Sequence, residues 1–129
     1  MTGSERRVLV VDDEAPARER LRRLVDELEG YRVVAQAANG LDALEQVNRF
    51  RPDILLLDIR MPEMDGMEVA GHLAAMQRPP AVIFTTAYDQ YAMEAFESEA
   101  IGYLLKPVRQ RRLKRALQLA ARDSRSVCL

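Results

Sequence analysis

The sequence contains a single cysteine, Cys128, close to its C-terminal end. One cysteine cannot form an intramolecular disulfide or a cysteine-based metal cage, so those classes of protein are excluded. Apolar runs are also short, and none approaches the ~20 residues that a membrane-spanning helix needs. These absences predict a soluble, cytoplasmic protein that has no membrane partner.

An excess of charge of either sign is also missing. Nineteen Lys and Arg residues oppose twenty Asp and Glu residues, which gives a formal net charge of −1. This balance argues against a dedicated nucleic-acid-binding or membrane-surface protein. The 129 residues, of which 48% are hydrophobic, suit one domain with a sizeable core and exclude a two-domain enzyme.

Five short apolar runs lie along the chain, and each is too short to form a helix. Uninterrupted apolarity is typical of strands that are buried on both faces of a parallel sheet. We therefore predict five such strands. They cover residues 8–11, 33–35, 54–57, 81–84 and 103–105.

Segments with the helical spacing of apolar residues alternate with these runs. The first begins near Pro16, which is tolerated in a first helical turn. The second and third follow Asn39-Gly40 and Asp65-Gly66, a weaker fourth covers about 90–97, and a fifth covers about 113–120. Alternating strands and helices predict the α/β class, as a (βα)5 doubly wound sandwich with a five-stranded parallel sheet.

Polar side chains follow four of the predicted strands. In an open parallel sheet, ligands bind beyond the carboxyl ends of the strands, near the point where the strand order reverses. Because the first and third strands should be neighbours, we expect three carboxylates to converge there. The polar residues are Asp12, Asp13 and Glu14 after the first strand, Asp58 after the third, Thr85 and Thr86 after the fourth, and Lys106-Pro107 after the fifth.

Converging carboxylates repel one another, and a like charge nearby raises the pKa of a carboxyl group. Mg²⁺ would relieve such a cluster, because it binds hard oxygen ligands and leaves room for phosphate oxygens. Lys106 supplies a second positive charge that can contact a phosphate. Each acid taken alone could simply cap a turn, but the group as a whole favours phosphoryl transfer onto the Asp58 carboxylate.

Four motifs occur in the order VLVVDDE (8–14), ILLLDIRMPEMDG (54–66), VIFTTAYD (82–89) and YLLKPV (103–108). Together they resemble the receiver domains of bacterial two-component response regulators, over residues 6 to about 122. The segment TAYDQYAMEAFESEAIGYLLKPV is similar to the LytR/AlgR group, in which a LytTR DNA-binding domain follows the receiver.

The resemblance implies a CheY-like, flavodoxin-like fold with the strand order 2-1-3-4-5. It implies a receiver domain over residues 1–122, with 123–129 as a tail or the start of a linker to an output domain that is absent from this chain. The implied function is to take a phosphoryl group from a sensor histidine kinase and to control a transcriptional output. DNA would be bound only through that output domain.

The resemblance also implies how the acids are used. Asp58 would be the phosphoacceptor. Asp13 and Asp58 would ligate Mg²⁺ directly, with help from the backbone carbonyl of Arg60. Asp12 would act largely through water.

A phosphoryl contact and a switch are implied at the other strand ends. Thr86 and Lys106 would each contact a phosphoryl oxygen, and Lys106-Pro107 would be a cis peptide. Tyr103 would rotate inward as Thr86 moves toward the phosphate. The face formed by the predicted fourth helix, the fifth strand and the fifth helix would then change, and we expect homodimerisation through it.

The C-terminal segment is rich in positive charge, with seven basic residues and no acidic one between residues 100 and 122. A stripe that binds an acidic partner, such as Glu94, Glu97 and Glu99 of a second subunit, is one interpretation. We favour the other, a solvated helix face with cations toward its C-terminal end.

Two other functions are alternatives. One is a phosphate-independent interaction module, which would have no need for a carboxylate cluster. The other is a Mg²⁺-dependent phosphohydrolase of the haloacid-dehalogenase type, which carries a second acid two residues after its nucleophile. Here Asp58 is followed by Ile59 and Arg60. We therefore expect a signalling phosphoacceptor rather than an enzyme, with at most self-phosphorylation from small donors and slow autodephosphorylation.

Overall fold

A computed structural model describes residues 5–87 and 102–127 of the chain. Its strands form one parallel sheet in the order β2-β1-β3-β4-β5, which confirms the α/β class and the implied strand order. The strands are β1 (Arg6–Val11), β2 (Tyr31–Ala37), β3 (Ile54–Asp58), β4 (Ala81–Thr86) and β5 (Gly102–Leu105).

Four helices connect or follow these strands within the described ranges. They are α1 (Ala15–Asp26), α2 (Gly40–Phe50), α3 (Gly66–Ala74) and α4 (Gln110–Val127). Helix α4 is the predicted fifth helix, because the predicted fourth lies outside the described residues. It continues to Val127, beyond the domain boundary predicted at residue 122. No helix in residues 5–87 or 102–127 is long and apolar enough to cross a membrane.

Helices α2 and α3 begin at the turn residues that the sequence indicated. The Asn39 side chain accepts a hydrogen bond from the backbone N–H of Asp42 at 2.8 Å. Asp65 accepts one from the N–H of Glu68 at 2.9 Å, while the Glu68 carboxylate accepts one from the N–H of Asp65 at 3.0 Å. These caps satisfy amide groups that have no partner within the helix.

Apolar side chains on the two faces of the sheet form two buried clusters. Because successive residues of a strand point to opposite faces, the uninterrupted runs supply both clusters. On one face, Leu9, Val11, Leu55, Leu57 and Phe84 pack with residues of α2 and α3. On the other face, Val8, Val10, Ile54, Leu56 and Ile83 pack with residues of α1 and α4.

The prediction that all five strands are buried on both faces is wrong for β2 and β5. Val33 and Val34 of β2 are only half-buried, and Leu105 of β5 is 44% exposed. These strands form the two edges of the described sheet, whereas β1, β3 and β4 lie between neighbours. Burial of an apolar run therefore depends on its place in the sheet.

Candidate functional site

The site lies at the carboxyl ends of β1 and β3, where the strand order reverses. Val11 and Leu57 are paired in register, so the residues that follow them, Asp12 and Asp58, lie next to each other. Carboxylate oxygens of Asp12, Asp13 and Asp58 all lie within 4.8 Å of one another. The structure thus brings together the three acids singled out in the sequence, and they could hold a metal ion.

The three carboxylates differ in exposure. Asp12 is fully buried, Asp58 is 4% exposed and Asp13 is exposed. The Asp12 carboxylate is held on both sides, because Oδ1 accepts a hydrogen bond from the N–H of Glu14 at 2.9 Å and Oδ2 accepts one from the Lys106 ammonium at 2.8 Å. Asp13 is therefore the acid most open to solvent, and Asp12 is the most enclosed.

Lys106 brings positive charge to the acidic cluster. Its Nζ lies 2.8 Å from Asp12 Oδ2 and 3.4 Å from Asp58 Oδ1. The backbone N–H of Lys106 donates to the Thr86 carbonyl at 2.7 Å, and its peptide bond to Pro107 is cis, the isomer that the resemblance implied. Pairing of β5 with β4 therefore brings the lysine to the same sheet edge as the acids.

Burial and neighbouring charges shift the pKa values of Asp58 and Lys106. Burial raises the pKa of Asp58 to about 7; the negative charge of Asp12 adds to the rise, and Lys106 opposes it. Burial alone would lower the pKa of Lys106, but its hydrogen bond to Asp12 and the charge of Asp58 raise it above its ordinary value. Negative charge is thus in excess, and clustered carboxylate oxygens of this kind are the donors that Mg²⁺ accepts.

The structure places three of the predicted site residues slightly differently along the chain than the sequence analysis did, or on the adjoining loop. Asp58 and Thr86 are the last residues of β3 and β4, and not the first residues after the strands. Arg60 is exposed on the loop between β3 and α3. Arg60 is only two residues beyond Asp58 in the chain.

Thr86 and Tyr103 lie on the same face of the sheet. Tyr103 pairs in register with Phe84, and Thr86 is two residues beyond Phe84, so all three share one face. Thr86 is 1% exposed, and Tyr103 is half-buried against the cluster that contains Phe84. The predicted fourth helix, with Glu94, Glu97 and Glu99, lies outside the described residues.

Gly66 belongs to the site, although sequence reasoning treated it only as a turn residue. Its N–H donates to the carbonyl of Ile59 at 2.7 Å. An ideal Cβ added at Gly66 would lie 2.3 Å from the carbonyl oxygen of Asp58, well inside van der Waals contact. Helix α3 therefore begins directly against the backbone of Asp58, and a glycine permits this close approach.

Replacing Gly66 by Ala should lower the free energy of unfolding by about 1–3 kcal/mol, because the added methyl group forces the Asp58 backbone and α3 apart. Urea unfolding measures the change. Gly71→Ala in the same helix is the control, since a Cβ there meets nothing within 4 Å, and it should leave stability unchanged or raise it by up to about 1 kcal/mol. An equal response of the two variants would contradict the close approach.

Comparison with known proteins identifies the class. Residues 8–118 match the family model of the response regulator receiver domain, and the chain belongs to this family. It is 56% identical over 119 residues to the positive alginate biosynthesis regulatory protein of Pseudomonas aeruginosa, which covers 92% of this chain and 48% of that protein. It is 42% identical over 120 residues to the sensory transduction protein LytT of Bacillus cereus, covering 93% and 49%.

These relatives confirm the LytR/AlgR group. The chain spans about half the length of the curated relatives that it matches. Among solved structures, the response regulatory domain of protein mrkE from Klebsiella pneumoniae superposes with a TM-score of 0.83 at 32% identity, covering 93% of this chain and 98% of that one. The fold, the family and the group are thus the same as those inferred from the motifs.

Proposed function

We propose that this receiver domain accepts a phosphoryl group on Asp58 and uses it to control an output. One observation carries the proposal. Three carboxylates have oxygens within 4.8 Å of one another, and the Lys106 ammonium lies 3.4 Å from the carboxylate of Asp58. Phosphoryl transfer needs a nucleophile together with cations that neutralise the transferred group. Asp58 and Lys106 supply the nucleophile and one of the cations.

The acidic cluster would hold Mg²⁺ as the second cation. Asp13 and Asp58 would be direct ligands, together with the backbone carbonyl of Arg60. Both carboxylate oxygens of Asp12 are already hydrogen-bonded, to Glu14 and Lys106, which favours a role for Asp12 through water. When bound, the ion would neutralise charge on the transferred group.

The transfer itself uses residues of this chain. An oxygen of the Asp58 carboxylate forms a bond to phosphorus while the bond from phosphorus to the donor nitrogen of a sensor histidine kinase breaks. Lys106 would then contact one phosphoryl oxygen as a point charge, and Thr86 would donate a hydrogen bond to another. The product is an aspartyl phosphate, which slow hydrolysis would return to Asp58.

The new charge would reach the output through Thr86 and Tyr103. Both lie on one sheet face, and movement of Thr86 toward the phosphate would let Tyr103 rotate inward. A local charge change that biases a two-state element is the usual form of such a switch. We propose that the altered face promotes homodimerisation in the cytoplasm, and that DNA is bound only through an output domain outside this chain.

Incubation with Mg²⁺ and phosphoramidate, followed by intact-mass measurement, tests the proposal. We expect the wild-type chain to gain one phosphoryl group and Asp58→Asn to gain none. Asp26→Asn, which changes an exposed aspartate of α1, should be modified like the wild type. Chelation of Mg²⁺ should prevent the reaction.

Two other results would overturn this assignment. An unmodified wild-type mass would favour the phosphate-independent interaction module. Rapid turnover of a phosphate ester would favour the phosphohydrolase.

A further inference from the structure

Two arginines of α1 donate hydrogen bonds to two different loops of the site. Arg18 Nη1 lies 2.8 Å from the backbone carbonyl oxygen of Asp12. Arg20 Nη2 lies 2.7 Å from the backbone carbonyl oxygen of Val108, two residues after Lys106. One helix therefore contacts both the loop of the acids and the loop of the lysine.

The spacing of the two arginines explains how one helix reaches both loops. Residues two apart in an α-helix differ by about 200° around the helix axis, so their side chains leave in nearly opposite directions. Arg18 is half-buried, whereas Arg20 is exposed and lines a groove together with Lys106 and Val108. A guanidinium offers several N–H donors in a fixed plane, which suits a hydrogen bond of defined geometry to a backbone carbonyl oxygen.

Further contacts hold the lysine loop to the same helix. The Gln110 side-chain amide, in the first turn of α4, donates to the Glu27 carboxylate at 3.0 Å and to the Leu24 carbonyl at 3.3 Å. The segment from Lys106 to Gln110 is thus tied to the middle and the end of α1. Lys106 Nζ in turn bonds Asp12 Oδ2, so the position of this loop sets where the ammonium meets the acids.

We propose that Arg18 and Arg20 are positioning residues for phosphorylation, an inference that rests on the proposed function of Asp58. Arg18 fixes the Asp12–Asp13 backbone and so sets the affinity for Mg²⁺. Arg20 fixes the β5–α4 loop and so sets the position of the Lys106 ammonium at the phosphoryl group. Each acts through a backbone carbonyl, and neither role requires contact with the reacting atoms.

The two roles predict two different defects. Arg18→Ala should weaken Mg²⁺ binding by about 5- to 10-fold, near the lower end of the effects known for outer-shell partners of metal sites. Arg20→Ala should change the Mg²⁺ dissociation constant by less than about twofold, yet lower the phosphorylation rate at saturating Mg²⁺ by a similar 5- to 10-fold. A general loss of packing would weaken both properties together.

Calorimetric Mg²⁺ titration and the initial rate of modification by phosphoramidate measure these defects. A small donor is used so that docking of a protein donor does not contribute. The control is Arg22→Ala in the same helix, which removes only pairs with Glu19 and Asp26 at the surface and should match the wild type. Arg18→Lys, which keeps one charged donor, should recover at least half of the lost Mg²⁺ affinity.

Hydrogen exchange gives a readout that does not depend on phosphorylation. Arg20→Ala should speed amide exchange at Lys106, Val108 and Arg109 and leave residues 12–14 unchanged, and Arg18→Ala should do the reverse. If the wild type accepts no phosphoryl group, the proposed function fails, and the Mg²⁺ titration and the exchange pattern still decide the positioning roles. Variants that match Arg22→Ala, or that impair both loops equally, would overturn the proposal.

Discussion

Replacing Lys106 by Ala should lower the free energy of unfolding of the metal-free protein by about 3 kcal/mol, the low end of the effect of removing one partner from a buried ion pair, because the lysine side chain is 25% exposed and the Asp12 side chain is fully buried. The Asp12 carboxylate is fully buried, and Lys106 Nζ lies 2.8 Å from it. The neighbouring Asp58 carboxylate would lose the same cation. Urea unfolding in the presence of a chelator measures the loss.

The matched control is Arg109→Ala, which removes an exposed cation three residues further along the chain. It should change the free energy of unfolding by less than about 0.5 kcal/mol, as is usual at exposed positions. Saturating Mg²⁺ should reduce the deficit of Lys106→Ala, because a bound cation then offsets the same carboxylates. A loss no larger than that of the control would show that Lys106 does not balance the acidic cluster.

Replacing Asp58 by Asn should have the opposite effect and raise the free energy of unfolding of the metal-free protein by about 1–3 kcal/mol at pH 8. The folded-state pKa of Asp58, about 7, lies above the ordinary value of 3.8. The folded protein therefore binds this proton more tightly than the unfolded chain does. Ionised Asp58 destabilises the fold at pH values above about 7, and the asparagine removes that cost.

The sign of the effect fixes its pH dependence. The destabilisation is complete above about pH 7 and shrinks as the pH falls toward 3.8, the ordinary pKa at which the unfolded chain also becomes protonated. The increase in the free energy of unfolding caused by Asp58→Asn should therefore be smaller at pH 5 than at pH 8. Urea unfolding at the two pH values measures it. Asp26→Asn, at an exposed position, should show no such trend. A gain that grows on acidification would contradict the burial and charge assigned to Asp58.

Much of this site could be predicted because its parts are contiguous in sequence with apolar strands. The acids directly follow β1 and end β3, so an apolar run followed by Asp marks both the strand and its functional end. Their proximity depends on strand order, which the resemblance to receiver domains supplied. The partial exposure of β2 and β5 was missed, because an apolar run does not reveal how many neighbours its strand has.

Two contacts around the site could not be predicted for a related physical reason: the hydrogen bond from Arg20 to Val108 and the close approach of Gly66 to Asp58. Arg20 and Val108 are 88 residues apart in the chain, and no local pattern marks a guanidinium that donates to a distant carbonyl. Gly66 is the first residue of α3 and follows a turn, as many glycines do, and its close approach to Asp58 depends on the path of the intervening loop. Such contacts follow from the assembled fold and not from any one segment.

Location of the phosphoryl group decides whether Asp58 is the phosphoacceptor. After reaction with Mg²⁺ and phosphoramidate, borohydride reduces an aspartyl phosphate to homoserine, which peptide mass spectrometry assigns to a residue. We expect homoserine at position 58 alone, and none when Mg²⁺ is chelated. Modification at another residue with position 58 unchanged would contradict that role of Asp58.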